Sequence, residues 1–425
     1  MRKLVCIILL LIFTVSSLTA CWDAKEIEQW AYVYTIGVDK GVDNVLRFTF
    51  QIPSMKQGTS AGSGSGGMGE PGKGRENYSI SIDAPTFSAG VNMVESSLSR
   101  TLSYMHTKYL VISEDLAREG VERFINGMIR SWQIRRIMYI IIVKGKASKF
   151  VEEFTPVLTS GTSKSQTGFM DMHRDTGFFI DTNYQSFLGN MKTTYRMPVA
   201  QIAALNDFSN YRTRGNPPKE FKSEGDYYAG ELPRSGGNKF EFFGTALFDG
   251  DKMVSELNGD ESRALLMIRG EFYSGSIAMP DPRDKELRIT VDTTTKKKPY
   301  IKVEFREGKP VINVKIFLEA DIQNLQSPTE YESAELKPVL EDAYKVYIKG
   351  IIDKTIDKCK ELNVDVFGFG EKAVEHFLTI QEWEEYNWLS HFKDAEINTE
   401  VEFTIRRTGT LLKTNPTRTT QGEKK

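Results

Sequence analysis

Two short segments near the start of the chain have bulky hydrophobic residues at every second position. In the first segment, the residues on the hydrophobic face are Trp30, Tyr32, Tyr34, Ile36 and Val38. In the second segment, they are Leu46, Phe48, Phe50 and Ile52. The residues between the segments, 39–44, contain Asp, Asn and Gly, which favour tight turns. A period of two on both sides of a turn predicts a β-hairpin.

The following stretch begins with a predicted short strand at 78–82. Asp83 and Pro85 are typical of the start of a helix. The helix that they open is expected to place one hydrophobic face on the core, made of Phe87, Val91, Val94, Leu98 and Leu102. The switch from a period of two to a helical period predicts a strand followed by a helix.

A similar strand and helix pattern comes next. Residues 109–112 are a predicted strand, and Ser113 is expected to cap the helix that follows. Glu114 and Asp115 suit the positive end of that helix. The continuous apolar run 138–143 is typical of a strand that is buried on both faces. The whole stretch therefore resembles a βαβαβ arrangement.

The C-terminal part of the chain is rich in strands and ends in helices and one closing strand. Its predicted strands are 239–248, 252–257, 287–291, 300–305, 311–318 and 397–405. A long amphipathic helix is predicted at 336–362 and another within 371–392. The fold class predicted for the chain is α+β, with several domains, each a mixed or antiparallel β-sheet flanked by helices.

The length of 425 residues is enough for two or three domains. A Gly/Ser-rich stretch at 57–74 is expected to be a flexible loop, and the segment around Gly215-Asn216-Pro217-Pro218 is expected to separate domains. The predicted units are a cleaved signal peptide (1–20), an N-terminal domain (21–210), a boundary segment (211–237), a C-terminal domain (238–412) and a disordered tail (413–425).

The N-terminus has the layout of a bacterial lipoprotein signal. Arg2 and Lys3 precede an apolar run from Leu4 to Val15, and Leu18-Thr19-Ala20 precedes Cys21. The apolar run with its Ser and Thr tail is roughly 15 residues long, which is short of the roughly 20 that cross a bilayer. We therefore expect cleavage before Cys21 and a diacylglycerol thioether on its thiol. Two acyl chains give stable membrane anchoring where one does not.

Composition narrows the range of partners. The formal charge is −2, and loss of Arg2 and Lys3 with the leader lowers it to −4. Nucleic acid is therefore not an expected partner, because phosphate contacts need a basic surface. Cys6 leaves with the leader and Cys21 takes the lipid, so Cys359 alone remains and no intrachain disulfide is expected. After residue 21, no apolar run is long enough to span a membrane.

Motif matches to catalytic sites are weak. Gly58-Thr59-Ser60-Ala61-Gly62 fits a nucleophile elbow, and Gly62, Gly64 and Gly67 fit a dinucleotide-binding motif. Both motifs need a strand before and a helix after them, and both lie in the Gly/Ser-rich stretch. Asp171, His173 and Asp175 would share a face if they lay on a strand, but a metal site there is disfavoured.

The remaining candidate residues favour structural roles. His106, His376 and His391 are isolated along the chain, and His106 is expected to cap a helix or bond within the core. Cys359 lies on a helix stripe and is expected to be a small buried hydrophobic residue. Lys296-Lys297-Lys298 is expected to be a turn between strands. Trp383, Trp388 and Phe392 are expected to pack in the core. No catalytic residue, cofactor or metal is predicted.

Several blocks of the sequence match one known family in order. They are Cys21-Trp22-Asp23 with Glu26-Ile27, Ile36-Gly37-Val38-Asp39, His106 with Tyr109-Leu110-Val111-Ile112 and Leu116-Ala117-Arg118-Glu119-Gly120, Arg130 to Arg136, Phe243-Gly244-Thr245-Ala246-Leu247-Phe248, Lys252-Met253-Val254 with Leu257-Asn258-Gly259, and Arg406-Arg407-Thr408-Gly409. The chain thereby resembles the Ger(x)C family, the C-subunit lipoproteins of spore germinant receptors. Ser255 stands where the family has Gly, and Trp132 where it has an acidic residue.

The resemblance implies a non-enzymatic subunit that is anchored by lipid on the outer face of the spore inner membrane. Its implied partners are the A subunit and the polytopic B subunit, with which it would detect nutrients and trigger germination. The resemblance also implies several domains, each a β-sheet flanked by helices. Two other classes stay open: a substrate-binding lipoprotein of an importer, which usually has two similar α/β lobes, and a cell-envelope hydrolase, for which no credible catalytic set is present.

Overall fold

A computed structural model of the chain describes most of the expected body. Cys21, the Gly/Ser-rich stretch 57–74 and most of the tail 413–425 lie outside the described residues. The described residues are 2–5, 7–8, 26–43, 45–53, 77–154, 162–213, 221–409, 411, 414, 418–420 and 422–423.

Strands form two large sheets within this described part. The strands before residue 258 are β1 (Trp30–Tyr32), β2 (Thr35–Lys40), β3 (Leu46–Pro53), β4 (Asn77–Ala84), β5 (Thr101–Ser103), β6 (Tyr109–Ser113), β7 (Tyr139–Val143), β8 (Val199–Leu205), β9 (Phe240–Asp249) and β10 (Lys252–Leu257). The later strands are β11 (Ser274–Pro280), β12 (Arg288–Arg306), β13 (Lys309–Leu325), β14 (Glu396–Arg407), β15 (Arg418–Thr419) and β16 (Gly422–Glu423).

Helices connect and cover these strands. They are α1 (Phe87–Glu95), α2 (Glu114–Glu119), α3 (Glu122–Met128), α4 (Ala147–Glu153), α5 (Thr162–Thr176), α6 (Tyr184–Lys192), α7 (Gly259–Arg269), α8 (Lys337–Glu361), α9 (Gly370–Ala373), α10 (Ile380–Tyr386) and α11 (Trp388–His391). Short 3₁₀ turns lie at Ile27–Gln29, Val374–His376 and Phe392–Asp394. Among the described residues, no helix combines the length and the apolar character needed to cross a membrane.

The first sheet has the strand order β10-β9-β8-β7-β6-β2-β3-β4 among the described residues. Its centre is parallel, since β2, β6, β7 and β8 pair in parallel. Its edges are antiparallel hairpins, β2-β3-β4 on one side and β8-β9-β10 on the other. The predicted hairpin of β2 and β3 is therefore confirmed, whereas β1 leaves it and pairs with β5.

The central strands of this sheet are buried on both faces, as the apolar run 138–143 predicts. On β7, Ile140 and Ile142 pack with α1, α2, α3 and α6 in one hydrophobic cluster. Ile141 and Val143 point the other way and pack with α4 and the end of α5 in another cluster. Side chains that alternate along β7 thus pack into two separate hydrophobic clusters, one on each face of the sheet. Parallel strands in the centre of a sheet are typically buried on both faces in this way.

Two predicted helices are shorter than their hydrophobic pattern suggests. α1 ends at Glu95, so Leu98 and Leu102 do not continue its face, and Leu102 lies in β5. The second helix is interrupted at Gly120, whose φ of 129° is a conformation that favours glycine. Ser113 takes the N-cap position of α2, but its side chain makes no capping hydrogen bond. These differences arise because tertiary contacts end a helix where the hydrophobic period alone does not.

The second sheet has the order β11-β12-β13-β14 and is antiparallel except for the parallel pair of β13 and β14. β12 and β13 are joined by a tight turn at Glu307 and Gly308, both of which have positive φ, as in a type I′ hairpin. The prediction of a turn at Lys296-Lys297-Lys298 is wrong. These lysines lie inside β12, where the register with β13 shifts twice, and Lys297 covers the ring of Phe317 at 3.7 Å.

α8 packs the second sheet against the first. Its buried residues recur every three or four positions and are Leu340, Tyr344, Ile348, Ile352, Thr355, Ile356 and Cys359. Leu362, which directly follows the last residue of α8, is 36% exposed. The same hydrophobic cluster also contains Val199, Leu247 and Leu257 of the first sheet. The two sheets therefore share a continuous core, and the α+β prediction is confirmed.

The segment 211–237, which is predicted to be a boundary, is followed in the chain by β9 and β10. β9 pairs with β8 and β10 pairs with β9, so both strands extend the first sheet. By strand pairing, the division between sheets falls after Leu257, where α7 begins the connection to β11.

The shared core gives a direct test of the role of α8. Ile352→Ala should lower the free energy of unfolding by about 2–5 kcal/mol, because Ile352 is fully buried and leaves a cavity when truncated. The matched control Ile380→Ala changes a residue that is 74% exposed and should shift stability by less than about 0.5 kcal/mol. Urea unfolding followed by circular dichroism measures both. Equal effects of the two substitutions would contradict the packing described for α8.

Candidate functional site

The structure does not bring the sequence-predicted polar triplet together. Asp171, His173 and Asp175 lie on helix α5 and not on a strand, so residues two apart do not share a face. His173 is buried and its Nδ1 lies 2.5 Å from the carbonyl oxygen of Met170, while both aspartates are exposed. This histidine therefore has a structural hydrogen bond within its own helix.

The other three histidines make separate contacts. His106 lies in the turn between β5 and β6, where no described helix ends, and it is exposed against the ring of Tyr32 at a centroid distance of 5.4 Å, so its predicted core or capping role is wrong. His376 lies with its Nε2 2.8 Å from the carbonyl oxygen of Val303. His391 stacks on Tyr386 at 4.7 Å. Within the described part of the chain, no group of three or more His, Cys, Asp or Glu residues is arranged to hold a metal ion.

The predicted core residues of the C-terminal part are indeed buried. Cys359 is fully buried, and burial raises the pKa of its thiol. Trp383 donates its indole N–H to the hydroxyl of Thr194 at 2.8 Å. Trp388 donates to a carboxylate oxygen of Asp365 at 2.9 Å. These contacts make the aromatic residues part of the seam between the two sheets and not an exposed patch.

Instead, the structure gathers charged side chains where α7 and α8 join the two sheets. We call this group the charged junction and define it by Glu224, Asp260, Glu261, Arg263 and Lys358. It carries the strongest polar contacts between segments that are distant in sequence. Sequence reasoning missed it, although Asn258 followed three residues later by Glu261 is the pattern of a capping box.

Arg263 is the most enclosed member of the charged junction, with a side chain that is 4% exposed. Its guanidinium donates to the Glu224 carboxylate at 2.8 Å and to the carbonyl oxygen of Thr176 at 2.8 Å. It also covers the ring of Phe178 at 4.0 Å. Glu224 in turn accepts the N–H of Ala278 in β11 at 3.2 Å. One cation thereby ties the end of α5, α7 and the second sheet together.

Lys358 makes the second connection. Its ammonium group donates to Glu261 Oε2 at 2.7 Å and to the carbonyl oxygen of Glu256 at 2.8 Å. Glu261 is nearly fully buried and also accepts the backbone N–H of Asn258 at 3.0 Å, which completes the capping box of α7. β10, α7 and α8 therefore meet at one ion pair.

The surroundings of Asp260 act on the pKa of its carboxyl group in opposite directions. Burial raises the pKa of its carboxyl group, while the hydroxyl of Ser223 and the charge of Arg263 act in the opposite direction. The neighbouring cavity between α7 and α8 has a volume of only about 10 Å³, which is room for about one water molecule. The contacts described for the charged junction are those of a connection between α7, α8 and the second sheet.

A second buried carboxylate supports the same seam. The oxygens of Asp365 accept the backbone N–H groups of Phe367, Gly368, Phe369 and Gly370 at 2.9–3.2 Å, besides the indole of Trp388. The backbone carbonyl oxygen of Asp365 accepts the N–H of Met197, which lies just before β8 of the first sheet, at 2.7 Å. A fully satisfied carboxylate of this kind fixes a loop firmly.

Open grooves occur on the exposed face of the second sheet. One of about 270 Å³ is lined by Asp292, Thr294, Glu319, Ala320, Asp321, Arg406 and Arg407. Two ion pairs lie within the groove, since Arg406 donates to Glu319 at 2.8 Å and Arg407 lies 3.8 Å from Asp321. Ion pairs on an open surface contribute little to stability.

Comparison with known families gives matches to both halves of the chain. Residues 243–409 match the family described as spore germination B3/GerAC like, C-terminal. Residues 23–205 match the spore germination protein N-terminal domain. The two matches lie in order and together include nearly all described residues.

Individual relatives match over nearly their full length. Spore germination protein KC of Bacillus subtilis (strain 168) is 24% identical, with 96% of each chain covered. Spore germination protein B3 of the same organism is 23% identical, with 94% of this chain and 97% of the relative covered. The crystal structure of the GerBC protein matches with a TM-score of 0.52 and 18% identity over 87% of this chain and 96% of that one. That last similarity shows a common fold.

The charged junction predicts a specific loss of stability. Lys358→Met should lower the free energy of unfolding by about 1–3 kcal/mol, because the Glu261 carboxylate stays buried and loses its cation. Lys354→Met changes an exposed lysine one turn earlier on α8 and serves as the matched control. Unfolding of the two variants in guanidinium chloride measures the change in the free energy of unfolding. If Lys358→Met lowered this free energy no more than Lys354→Met does, the structural role of the junction would be refuted.

Proposed function

Since this chain belongs to the Ger(x)C family of germinant receptor C subunits, we propose that it is a lipid-anchored subunit of a nutrient germinant receptor in the spore inner membrane. In this proposal, its role in nutrient-triggered germination is assembly and signal coupling with an A subunit and a polytopic B subunit. The observation that carries the proposal is the pair of family matches, in order, behind a lipoprotein signal ending at Cys21.

The lipid anchor is supported by the sequence around Cys21. The N-terminal family match begins at residue 23, two residues after the expected new N-terminus at Cys21. A diacylglycerol on Cys21 would confine the body to a thin layer above the membrane. Confinement raises the effective concentration of membrane-bound partners, so that modest interfaces suffice for assembly.

A coupling role is supported by how the chain uses its buried charges. Arg263, Glu261 and Lys358 connect segments of the two sheets, and the cavity beside them has a volume of about 10 Å³. A body that is stiff across this seam can transmit a displacement from one partner to another, because packed cores do not deform continuously. No step of this role requires bond chemistry by this chain.

The importer alternative gains no support from the fold. A substrate-binding lipoprotein is expected to have two similar lobes around a cleft. Here, within the described residues, the first sheet has eight strands with a parallel centre and the second has four strands that are mostly antiparallel. Tight binding of a nutrient by the purified protein alone would nevertheless restore this alternative.

Germination of spores that lack the gene tests the proposed function. We expect loss of the response to one class of nutrient, with other triggers intact, measured as the loss of refractility over time. Complementation with the intact gene should restore the response. An unchanged response to every nutrient in a strain that lacks all paralogues would count against the receptor assignment.

The anchor has its own prediction. Cys21→Ala should move the protein out of the membrane fraction and weaken germination, because the thiol that takes the lipid is lost. Cys359→Ala is the matched control, since that cysteine is buried and should leave membrane fractionation unchanged. Immunoblots of spore fractions, together with germination assays, provide the measurement. Normal germination of the Cys21→Ala strain would argue against an essential anchor.

A further inference from the structure

The position of the tether restricts which surface of the body meets the membrane. Glu26 is the first described residue of the body and lies five residues after Cys21. Five extended residues reach at most about 18 Å. If Cys21 carries the proposed lipid, on which this inference rests, the surface around Glu26 must therefore lie close to the lipid headgroups.

Strand β1 shows what lies beside that starting point. β1 pairs in parallel with β5, with Trp30 opposite Thr101 and Tyr32 opposite Ser103. The exposed Arg100 thus precedes the residue opposite Trp30. Directly after β5, the backbone N–H of Tyr104 donates to the side chain of Gln133 at 3.2 Å. The loop that carries Gln133 is therefore a neighbour of the first strand of the body.

This loop, residues 129–138, presents large apolar side chains to solvent. Trp132 is 80% exposed and Ile137 is 57% exposed. The loop is firmly held from beneath, because Ile134 and Met138 are buried in the core of the first sheet. Exposure of Trp132 and Ile137 is therefore a property of a fixed surface and not of a loose segment.

The same surface carries unpaired positive charge. Arg100, Arg130, Arg135 and Arg136 are exposed, and none of them forms an ion pair with a carboxylate of the described residues. The acidic residues described near this surface are the exposed Glu26 and Glu28, and the half-buried Glu95, whose carboxylate accepts the N–H of Leu102 in β5 at 2.9 Å. Four arginines against three glutamates make a small local excess of positive charge in a chain whose formal charge is −2.

We propose that this surface, formed by Arg100, Arg130, Trp132, Arg135, Arg136 and Ile137, is a second membrane contact that binds anionic lipid headgroups. Arginine forks bind phosphate oxygens in pairs. Tryptophan is enriched at the level of the headgroups, where its ring is partly apolar and partly hydrated. Basic residues close to an anionic leaflet strengthen binding by roughly fivefold each. In this proposal, the lipid on Cys21 keeps the body close to the membrane, and this surface determines which face of the body is turned toward it.

Lysines 296–298 are a weaker candidate for the same role. They are equally exposed, but Lys297 is engaged over the ring of Phe317. They lie in β12 of the second sheet, which does not pair with β1 or β5. This difference makes the three lysines a matched control for the arginines.

The test uses the full lipidated protein reconstituted in vesicles. Ile137→Cys carries an environment-sensitive fluorophore, since Cys359 is buried and the thiol of Cys21 is occupied by lipid. We expect a blue shift of emission with phosphatidylglycerol in the vesicles, a smaller shift with phosphatidylcholine alone, and partial reversal by salt. A fluorophore on Leu378→Cys, at a site that is 94% exposed, should not shift.

Charge substitutions then separate the explanations. Replacement of Arg130, Arg135 and Arg136 by Gln should abolish the lipid-dependent shift, whereas replacement of Lys296, Lys297 and Lys298 by Gln should leave it unchanged. An unshifted label on protein that is fully inserted in the vesicles would overturn this inference and leave the anchor intact. A shift that appears only when a polytopic subunit is added would assign the surface to an acidic protein partner and overturn the lipid contact. Protein that carries no lipid would instead refute the proposed anchor.

Discussion

The buried pairing of α7 with α8 is the constraint on which the rest of the molecule depends. Glu261 and Lys358, 97 residues apart, meet at 2.7 Å, and Arg263 reaches Glu224 and the backbone of Thr176 from the same helix. Charges taken out of water are tolerable only when they are paired and hydrogen-bonded in one geometry. Slippage of either sheet would leave these groups unpaired, so the junction fixes the relative position of the sheets more sharply than apolar packing alone.

This rigidity connects the fold to the proposed role. The first sheet has a parallel centre whose strands are buried on both faces, and the second is covered by α8 on one face and open on the other. The open face carries the groove that is lined by Arg406 and Arg407. A displacement applied at that face would pass through α8 into the first sheet without being absorbed by a flexible hinge.

Local sequence patterns predicted many of the strands and helices, but contacts between residues distant in sequence decided how these elements pair and pack. The period of two in β2 and β3, the apolar run of β7 and the amphipathic stripe of α8 depend on neighbouring residues, and the structure has all three. The membership of β9 in the first sheet, the position of Lys297 inside a bulged strand and the pairing of Arg263 with Glu224 depend on partners that no local pattern identifies. The charged junction was hidden for the same reason, since glutamate and lysine usually indicate an exposed helix face.

The proposed lipid tether and the proposed headgroup contact would restrict different motions of the body relative to the membrane. The proposed lipid on Cys21 would limit the distance of the body from the bilayer to what five residues can span, but one point of attachment does not determine which face of the body is turned toward the membrane. Receptor assembly needs a particular face turned toward each partner. A fixed surface with Trp132 and unpaired arginines beside β1 would remove most of that rotational freedom before any protein partner binds. The stiff junction then extends this orientation to the second sheet, so that one contact at the membrane positions the whole body.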